Sequence, residues 1–281
     1  MGHKKVVRID PLTKAMPFGG VDSHAHLDDE AFDADRERVL ERAYNVGIEA
    51  IVNIFLDPAS YRERKKIFEH NSPNHFPHIF HALGMHPIDG TKFGEKDYEI
   101  LETELEESER IVAVGEIGLD YYWKDCPKEI QLALFSRQLA IAKKKGKPVI
   151  IHCREAEEDC LMVLESQGFS SYPVLWHCFG GNVHLAQRLI RHGWMISVPG
   201  TISYPANSAS REAIASIPDS QLLIETDCPY LSPNPWRGTR NEPAYTVFTA
   251  EVIAAQRHVD VGSLWKMCGE NAKRFFGMKD L

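Results

Sequence analysis

Short apolar runs rich in β-branched residues recur along the chain, and each is followed by a polar or glycine-containing turn and then by helical spacing. Eight such runs are centred near Val21, Ile51, Ala82, Val114, Ile150, Leu175, Ile196 and Ile224. Successive runs lie between about 20 and 37 residues apart, which is typical of β/α units. Because such connections are crossovers, they predict parallel strands.

Helical spacing predicts seven helices between and after these runs. They are expected at 33–45, 95–110, 129–145, 155–167, 183–191, 245–257 and 261–276. In the acidic stretch 95–110, Tyr98, Leu101 and Leu105 fall on one face of the helix. We therefore expect its glutamates on the opposite, solvated face.

Eight strands that alternate with helices favour a single (β/α)8 barrel of the TIM type over an open, doubly wound sheet. The first run lacks the glycine-rich fingerprint of a dinucleotide-binding fold. We expect the barrel to span residues 21–281, and residues 1–20 to form a poorly ordered leader. The active site is then expected at the C-terminal mouth, where barrel enzymes carry it.

Composition narrows the function classes. Of 281 residues, 43% are hydrophobic and 26% charged, as in an ordinary globular protein. Lys and Arg number 32 against 40 Asp and Glu, a net charge of −8, so a broad basic surface that coats nucleic acid is excluded and any such contact must be local. No run approaches the roughly 20 apolar residues of a membrane helix. We expect a cytoplasmic protein with neither a membrane nor an obligate protein partner, and with its six cysteines reduced.

Candidate metal ligands lie at the ends of several runs. His24 and His26, at i and i+2 on the first run, point to the same side of a strand, although chance can supply such a pair. The others end the fourth, fifth, sixth and eighth runs: Glu116, His152, His177 and Asp227. One such residue is usually a cap or a satisfied buried group. Four imidazoles and two carboxylates together suit Zn²⁺, Mn²⁺ or a similar cation better than Ca²⁺.

Seven segments across nearly the whole chain carry a resemblance to a known family. They are VDSHAHL (21–27), GMHP (84–87), GEIGLDYY (115–122), PVIIHCREA (148–156), HCFGG (177–181), ETDCPYLSPNPWRGTRNEP (225–243) and ENAKRFF (270–276). In these motifs the chain resembles the TatD family of metal-dependent hydrolases, which are amidohydrolase-like barrels commonly described as deoxyribonucleases.

The resemblance implies two divalent ions, Zn, Mn, Mg or similar. It implies a first ion held by His24, His26, Glu116 and Asp227, and a second held by Glu116, His152 and His177. Two cations lower the pKa of a shared water, which can then attack a phosphodiester. Glu116 and Asp227 are the expected catalytic residues, and Asp227 would accept the proton of that water. The expected activity is that of a deoxyribonuclease that removes nucleotides from DNA or other nucleic-acid ends in the 3′ to 5′ direction.

Four further residues are candidate substrate contacts: His86, Arg154, Glu225 and Arg237. His86 resembles the family's histidine near the metals. Glu225 could hydrogen-bond to a metal ligand and orient it. The guanidinium groups of Arg154 and Arg237 each offer two donors to a phosphate. The chain departs from the family at Gly180, where serine is common, and at Ile88, where a second histidine often follows. Both departures lie where substrate is expected.

Two other functions stay open. The same chemistry could attack a carbonyl in a cyclic amide, a lactone or an aminoacyl-tRNA ester. Some barrels of that kind use a carboxylated lysine on the fourth strand, where this chain has Glu116. A barrel that serves only as a binding or scaffold protein is the second alternative, and the full set of six candidate ligands argues against it.

Overall fold

The computed structural model describes residues 7–68, 75–278 and 281, in which strands and helices alternate. The strands are β1 (Gly20–Ala25), β2 (Ile48–Phe55), β3 (His78–Leu83), β4 (Ile111–Asp120), β5 (Val149–Arg154), β6 (Val174–Trp176), β7 (Met195–Val198) and β8 (Leu222–Ile224). The helices are α1 (Arg36–Asn45), α2 (Pro58–Arg64), α3 (Glu95–Glu107), α4 (Lys128–Lys145), α5 (Glu157–Ser166), α6 (Val183–Arg191), α7 (Ser208–Ile214), α8 (Thr246–Arg257) and α9 (Val261–Phe276).

The eight strands form one sheet in chain order, and every pair of neighbours is parallel. Beyond the end of β8 the chain returns to β1. A parallel bridge joins Ala25 to Cys228, and the N–H of Asp227 donates to the carbonyl of His24 over 2.9 Å. The predicted (β/α)8 barrel is therefore confirmed, and its closing seam lies between two segments that carry candidate ligands.

Alternation along most strands divides the core into two layers. On β2, Ala50, Val52 and Ile54 belong to a cluster with Ile150 of β5, Leu175 of β6 and Leu223 of β8, whereas Ile51 and Phe55 pack in the larger cluster that includes most of the helices. Both layers are apolar and buried, which fixes the register that brings the strand ends together.

The seven predicted helices are present, with bounds shifted by up to three residues. Two more, α2 and α7, have only seven residues each, too few for a clear helical period. The expectation that the glutamates of the acidic stretch are solvated is wrong for Glu104, which is buried against Arg62 and Lys65. Two cations close by compensate for that burial.

Part of the leader contacts the barrel. Pro11 is buried, Lys14 Nζ lies 2.7 Å from Glu251 Oε1, and the Trp236 indole N–H donates to the Ile9 carbonyl over 2.8 Å. These contacts were not part of the expectation that residues 1–20 form a poorly ordered leader, and residues 1–6 of that leader lie outside the described residues.

None of the helices in the described ranges is long and apolar enough to cross a bilayer.

Candidate active site

The Glu116 carboxylate lies at the centre of a cluster of histidines. Oε1 is 2.5 Å from His152 Nδ1 and 2.8 Å from His177 Nε2. Oε2 is 3.4 Å from His24 Nε2 and 4.0 Å from His26 Nε2. These side chains come from β1, β4 and β5 and from the residues that directly follow β1 and β6, so the barrel brings together groups up to 153 positions apart, from 24 to 177.

Asp227 contacts His24 and His26 from the segment that follows β8. Its Oδ1 is 3.2 Å from His26 Nε2 and 3.7 Å from His24 Nε2. Asp227 has a φ of 57°, in the left-handed region that a non-glycine residue rarely adopts. Its backbone N–H is held by the His24 carbonyl, which helps to keep the carboxylate beside the imidazoles.

The donor set fits divalent cations. The Nε2 atoms of His24 and His26 lie 3.3 Å apart. Three overlapping triads have ligand atoms within 4.8 Å of one another: His24, His26, Glu116; His24, His177, Asp227; and His86, Glu116, His152. Within the described ranges, no Lys or Arg nitrogen lies within 4.0 Å of the Glu116 or the Asp227 carboxylate. Imidazole nitrogens and carboxylate oxygens together are the ligands that Zn²⁺ and Mn²⁺ accept.

Both carboxylates are held in the ionised form. Burial alone would raise the pKa of Glu116, but the charges of His177 and His152 and their hydrogen bonds outweigh it and hold that pKa well below its usual range. Burial opposes ionisation of Asp227 as well, and its contacts with His26 lower its pKa below the ordinary value. The site therefore concentrates negative charge in a place almost closed to water.

The imidazoles differ in their affinity for a proton. Burial, together with repulsion from His177, lowers the pKa of His24. Burial also acts to lower the pKa of His26, but the hydrogen bond and charge of Asp227 outweigh it and raise that pKa to about 9. Because a cation and a proton compete for the same ring nitrogens, metal binding here is expected to release protons.

Glu225 supports His177 from the side away from Glu116. The Glu225 side chain accepts hydrogen bonds from the Cys178 N–H, over 2.7 Å, and from the Ser197 hydroxyl, and its Oε1 is 3.4 Å from His177 Nδ1. The placement matches a supporting partner better than a substrate contact. Cys178, the residue after His177, could join His177 and Glu225 in a further ligand triad.

Asp120 is a site residue that the sequence reasoning missed. The prediction that Glu116 ends its strand is wrong, because β4 continues to Asp120. Asp120 is 1% exposed, and its Oδ2 lies 2.9 Å from His152 Nε2. Gln131 of α4 holds the Asp120 backbone on both sides, with bonds of 2.8 Å to its N–H and its carbonyl. The acidic residue four positions after Glu116 in GEIGLDYY was the available signal.

His86 lies at the edge of the cluster. Its Nε2 is 3.8 Å from Glu116 Oε1, and its Nδ1 accepts from the Ile88 N–H over 3.4 Å, at the start of a short 3₁₀-helix. Burial and repulsion from His152 lower the pKa of His86 to about 3. The ring is therefore neutral at pH 7, and its proton is on Nε2 when Nδ1 accepts.

The two arginines predicted to contact substrate, Arg154 and Arg237, lie against different aromatic rings. Arg154 ends β5, with its guanidinium carbon 3.8 Å from the Tyr122 ring centroid. Arg237 lies over Tyr204, at 4.2 Å, and the contacts of the described residues do not join it to the histidine cluster. A third arginine of the same loop, Arg240, is bound to Asp35 through two bonds of 2.7 and 2.8 Å.

Comparisons with known proteins agree with this geometry. A family model described as TatD related DNase matches residues 21–277. The uncharacterized metal-dependent hydrolase YabD of Bacillus subtilis is 37% identical over 255 residues, 91% of this chain and 98% of that protein. A 3′-5′ ssDNA/RNA exonuclease TatD of Escherichia fergusonii is 30% identical over 262 residues, 92% of this chain and 98% of that protein.

A solved structure shares the whole architecture. The crystal structure of YjjV, a TatD homologue from Escherichia coli K12, matches with a TM-score of 0.84 and 30% identity, and the match covers 95% of this chain and 99% of that one.

Proposed function

Since the chain belongs to the TatD family of metal-dependent hydrolases, we propose that it hydrolyses phosphodiester bonds in DNA, starting from the 3′ end of a single strand. The observation that carries the proposal is the contact of Glu116 with four predicted ligand histidines, each within 4.0 Å of its carboxylate. The name of the Escherichia fergusonii relative supports this choice of substrate.

The residues divide into two overlapping ligand sets. His24, His26, Glu116 and Asp227 would hold one divalent cation, and Glu116, His152 and His177 the other. When bound, such cations lower the pKa of a coordinated water and stabilise negative charge on a phosphoryl group. Glu116 belongs to both sets because its two oxygens face different histidines.

Asp227 is the proposed proton acceptor. A carboxylate must be ionised to take a proton, and the contacts with His26 keep the pKa of Asp227 below its usual value. The left-handed backbone and the bond to the His24 carbonyl fix its position. Asp227 can therefore orient the attacking water and accept its proton without moving.

His86 and Arg154 are the proposed contacts of the phosphate. A neutral His86 can donate its Nε2–H to a phosphoryl oxygen while Nδ1 stays bound to the Ile88 N–H. Arg154 offers a planar guanidinium two residues after His152. Arg237 lies over Tyr204, so we assign it a contact farther along the bound nucleic-acid strand.

Product analysis tests the proposal. The protein loaded with Mn²⁺ or Mg²⁺ is incubated with 5′-labelled single-stranded DNA and, in parallel, with an aminoacylated tRNA. We expect a ladder of strands shortened from the 3′ end, and no release of the amino acid. Glu116→Gln prepared in the same way excludes a contaminating nuclease. Release of the amino acid with intact strands would instead establish an acyl substrate.

A further inference from the structure

Exposed aromatic side chains cluster near two strand ends of the barrel mouth. Tyr122 and Trp123 follow β4 and are 46% and 48% exposed, and Tyr230 follows β8 and is 55% exposed. In the described part of the chain, the one other exposed Phe, Tyr or Trp is Phe18, which precedes β1. Exposed rings therefore concentrate at the end of the barrel that carries the histidine cluster.

The turn that bears Tyr122 and Trp123 is tied to that cluster by one carboxylate. Asp120 Oδ1 accepts the backbone N–H groups of Tyr122 and Trp123, each over 3.0 Å, while its Oδ2 contacts His152 Nε2. Because one buried side chain holds both, the aromatic turn has a fixed position relative to the proposed metal ligands.

The Arg154 guanidinium lies beside these rings and, among the described residues, has no acidic partner. The Arg154 guanidinium carbon lies 3.8 Å from the Tyr122 centroid and 5.8 Å from the Trp123 centroid. Across the described ranges, no carboxylate lies within 4.0 Å of an Arg154 nitrogen, although the chain has a net charge of −8. The guanidinium therefore remains available to an anion next to the rings.

We propose that Trp123 is a stacking platform for an unpaired nucleobase, and that Arg154, held over Tyr122, contacts an adjacent phosphate. This inference rests on the proposed nuclease function and specifies its substrate. Tyr122 meets Trp123 edge on, with centroids 5.0 Å apart, and Arg154 lies over the Tyr122 ring, which leaves Trp123 as the platform. A base inside a duplex has both faces covered, so the platform selects single strands with little preference among bases.

Binding of paired substrates tests the platform. Two phosphorothioate strands of equal length are compared by fluorescence anisotropy on the Mn²⁺-loaded protein; one carries all its bases and the other is abasic at its two 3′ nucleotides. We expect wild-type protein to bind the complete strand roughly 5- to 150-fold more tightly, in line with stacking of one base on an aromatic ring. Trp123→Ala should remove that preference, and Trp123→Phe should retain most of it.

Phe18→Ala is the matched control, because it removes an equally exposed ring at the opposite end of the strands, and it should leave the preference intact. Equal binding of the two strands by wild-type protein, or an undiminished preference in Trp123→Ala, would overturn the platform. The same strands with ordinary phosphodiesters report the proposed function separately: hydrolysis without base preference removes the platform alone. If neither strand is bound or cut, both proposals are wrong.

Discussion

The side chains of Asp120 and His152 are joined, with Asp120 Oδ2 2.9 Å from His152 Nε2, while His152 Nδ1 lies 2.5 Å from Glu116 Oε1. Carboxylates thus face both nitrogens of one imidazole. An imidazole with one nitrogen bound to a carboxylate keeps its proton there and presents the other nitrogen in a fixed direction. Asp120 is therefore a positioning residue for a proposed metal ligand.

Asp120→Asn tests this relationship. Its amide oxygen can still accept the Tyr122 and Trp123 N–H groups, so the turn should keep its conformation. The charge that orients His152 is lost, and we expect metal affinity to fall about 10- to 100-fold. Calorimetric titration of Mn²⁺ measures the change, and thermal melting without metal checks the fold. Asp125→Asn, an exposed acid of the same loop, is the control; an affinity unchanged in Asp120→Asn would contradict the positioning role.

Glu116→Gln keeps the shape of the side chain and removes its charge. Because Glu116 contacts histidines of both proposed sets, we expect loss of at least one cation per chain and a decrease in turnover by several orders of magnitude. Metal analysis by mass spectrometry and single-turnover rates measure both effects. Glu129→Gln, on the exposed start of α4, should behave as wild type. Two retained metals with normal turnover would rule out a shared carboxylate.

Gly118→Ala tests the strand pairing that brings Glu116 to His152. Gly118 has a φ of +145°, and a Cβ added there would lie 2.0 Å from the His152 carbonyl oxygen, a backbone atom that cannot move away freely. We expect unfolding in urea to show a loss of more than about 2 kcal/mol. Gly94→Ala, where a Cβ meets no atom within 4 Å, should change stability far less. Equal effects of the two substitutions would contradict this account.

The sequence was sufficient for the barrel and for the convergence of the candidate ligands, because periodic apolar runs determine the strands and parallel strands share one active edge. Glu116 shows where that reasoning stops. Two glycines, Gly115 and Gly118, make the fourth run look finished, yet their small size allows β4 to pack closely against β5 and continue to Asp120. The contact of Asp120 with His152 was hidden for that reason.

Local sequence patterns did not predict long-range ion pairs either. Arg240 lies three residues after the candidate substrate contact Arg237, but Asp35, 205 positions earlier, binds it. Such a pairing depends on how α1 and the loop after β8 meet across the closed barrel, which no periodicity reports. The short helices α2 and α7 were missed because seven residues do not establish a helical period.

His81 predicts a specific dependence of stability on pH. Burial among Phe55, Tyr61 and Phe68, with repulsion from Arg110, lowers the pKa of His81 to about 3. The unfolded chain binds a proton there near pH 6.5 and the folded chain does not, so stability is lost as pH falls from about 6.5 toward 3. At pH 5 the loss is about 2 kcal/mol.

His81→Phe removes this contribution while it retains an aromatic ring. When the pH is lowered from 7.5 to 5, the free energy of unfolding of wild type should fall by about 2 kcal/mol more than that of the variant. Urea unfolding at each pH measures the difference. His78→Phe, at the exposed start of the same strand, is the control and should follow wild type. A constant difference between His81→Phe and wild type across this range would contradict a buried neutral His81.

The charge balance predicts how the enzyme engages its substrate. A chain of net charge −8 repels a polyanion at long range, so binding depends on the cations and on the few arginines near the mouth. Asp35 already neutralises Arg240, whereas Arg154 and Arg237 have no carboxylate within 4.0 Å among the described residues. With roughly two to four phosphates neutralised, the logarithm of single-strand affinity should fall against the logarithm of salt with a slope of about −1.4 to −2.8.

From such limited contact we expect distributive action of the proposed exonuclease, because a strand held at a few phosphates dissociates between cuts. Short oligonucleotides should be degraded nearly as fast as long ones, and a duplex only from frayed ends, since its terminal bond must separate from its partner to enter the mouth. Cleavage rates against salt and strand length measure this, with closed circular single strands as a substrate without ends. A slope steeper than about −5 would indicate a long basic channel instead. Efficient cutting of the circles would show endonuclease action, because a circle offers no terminus at which cleavage could begin.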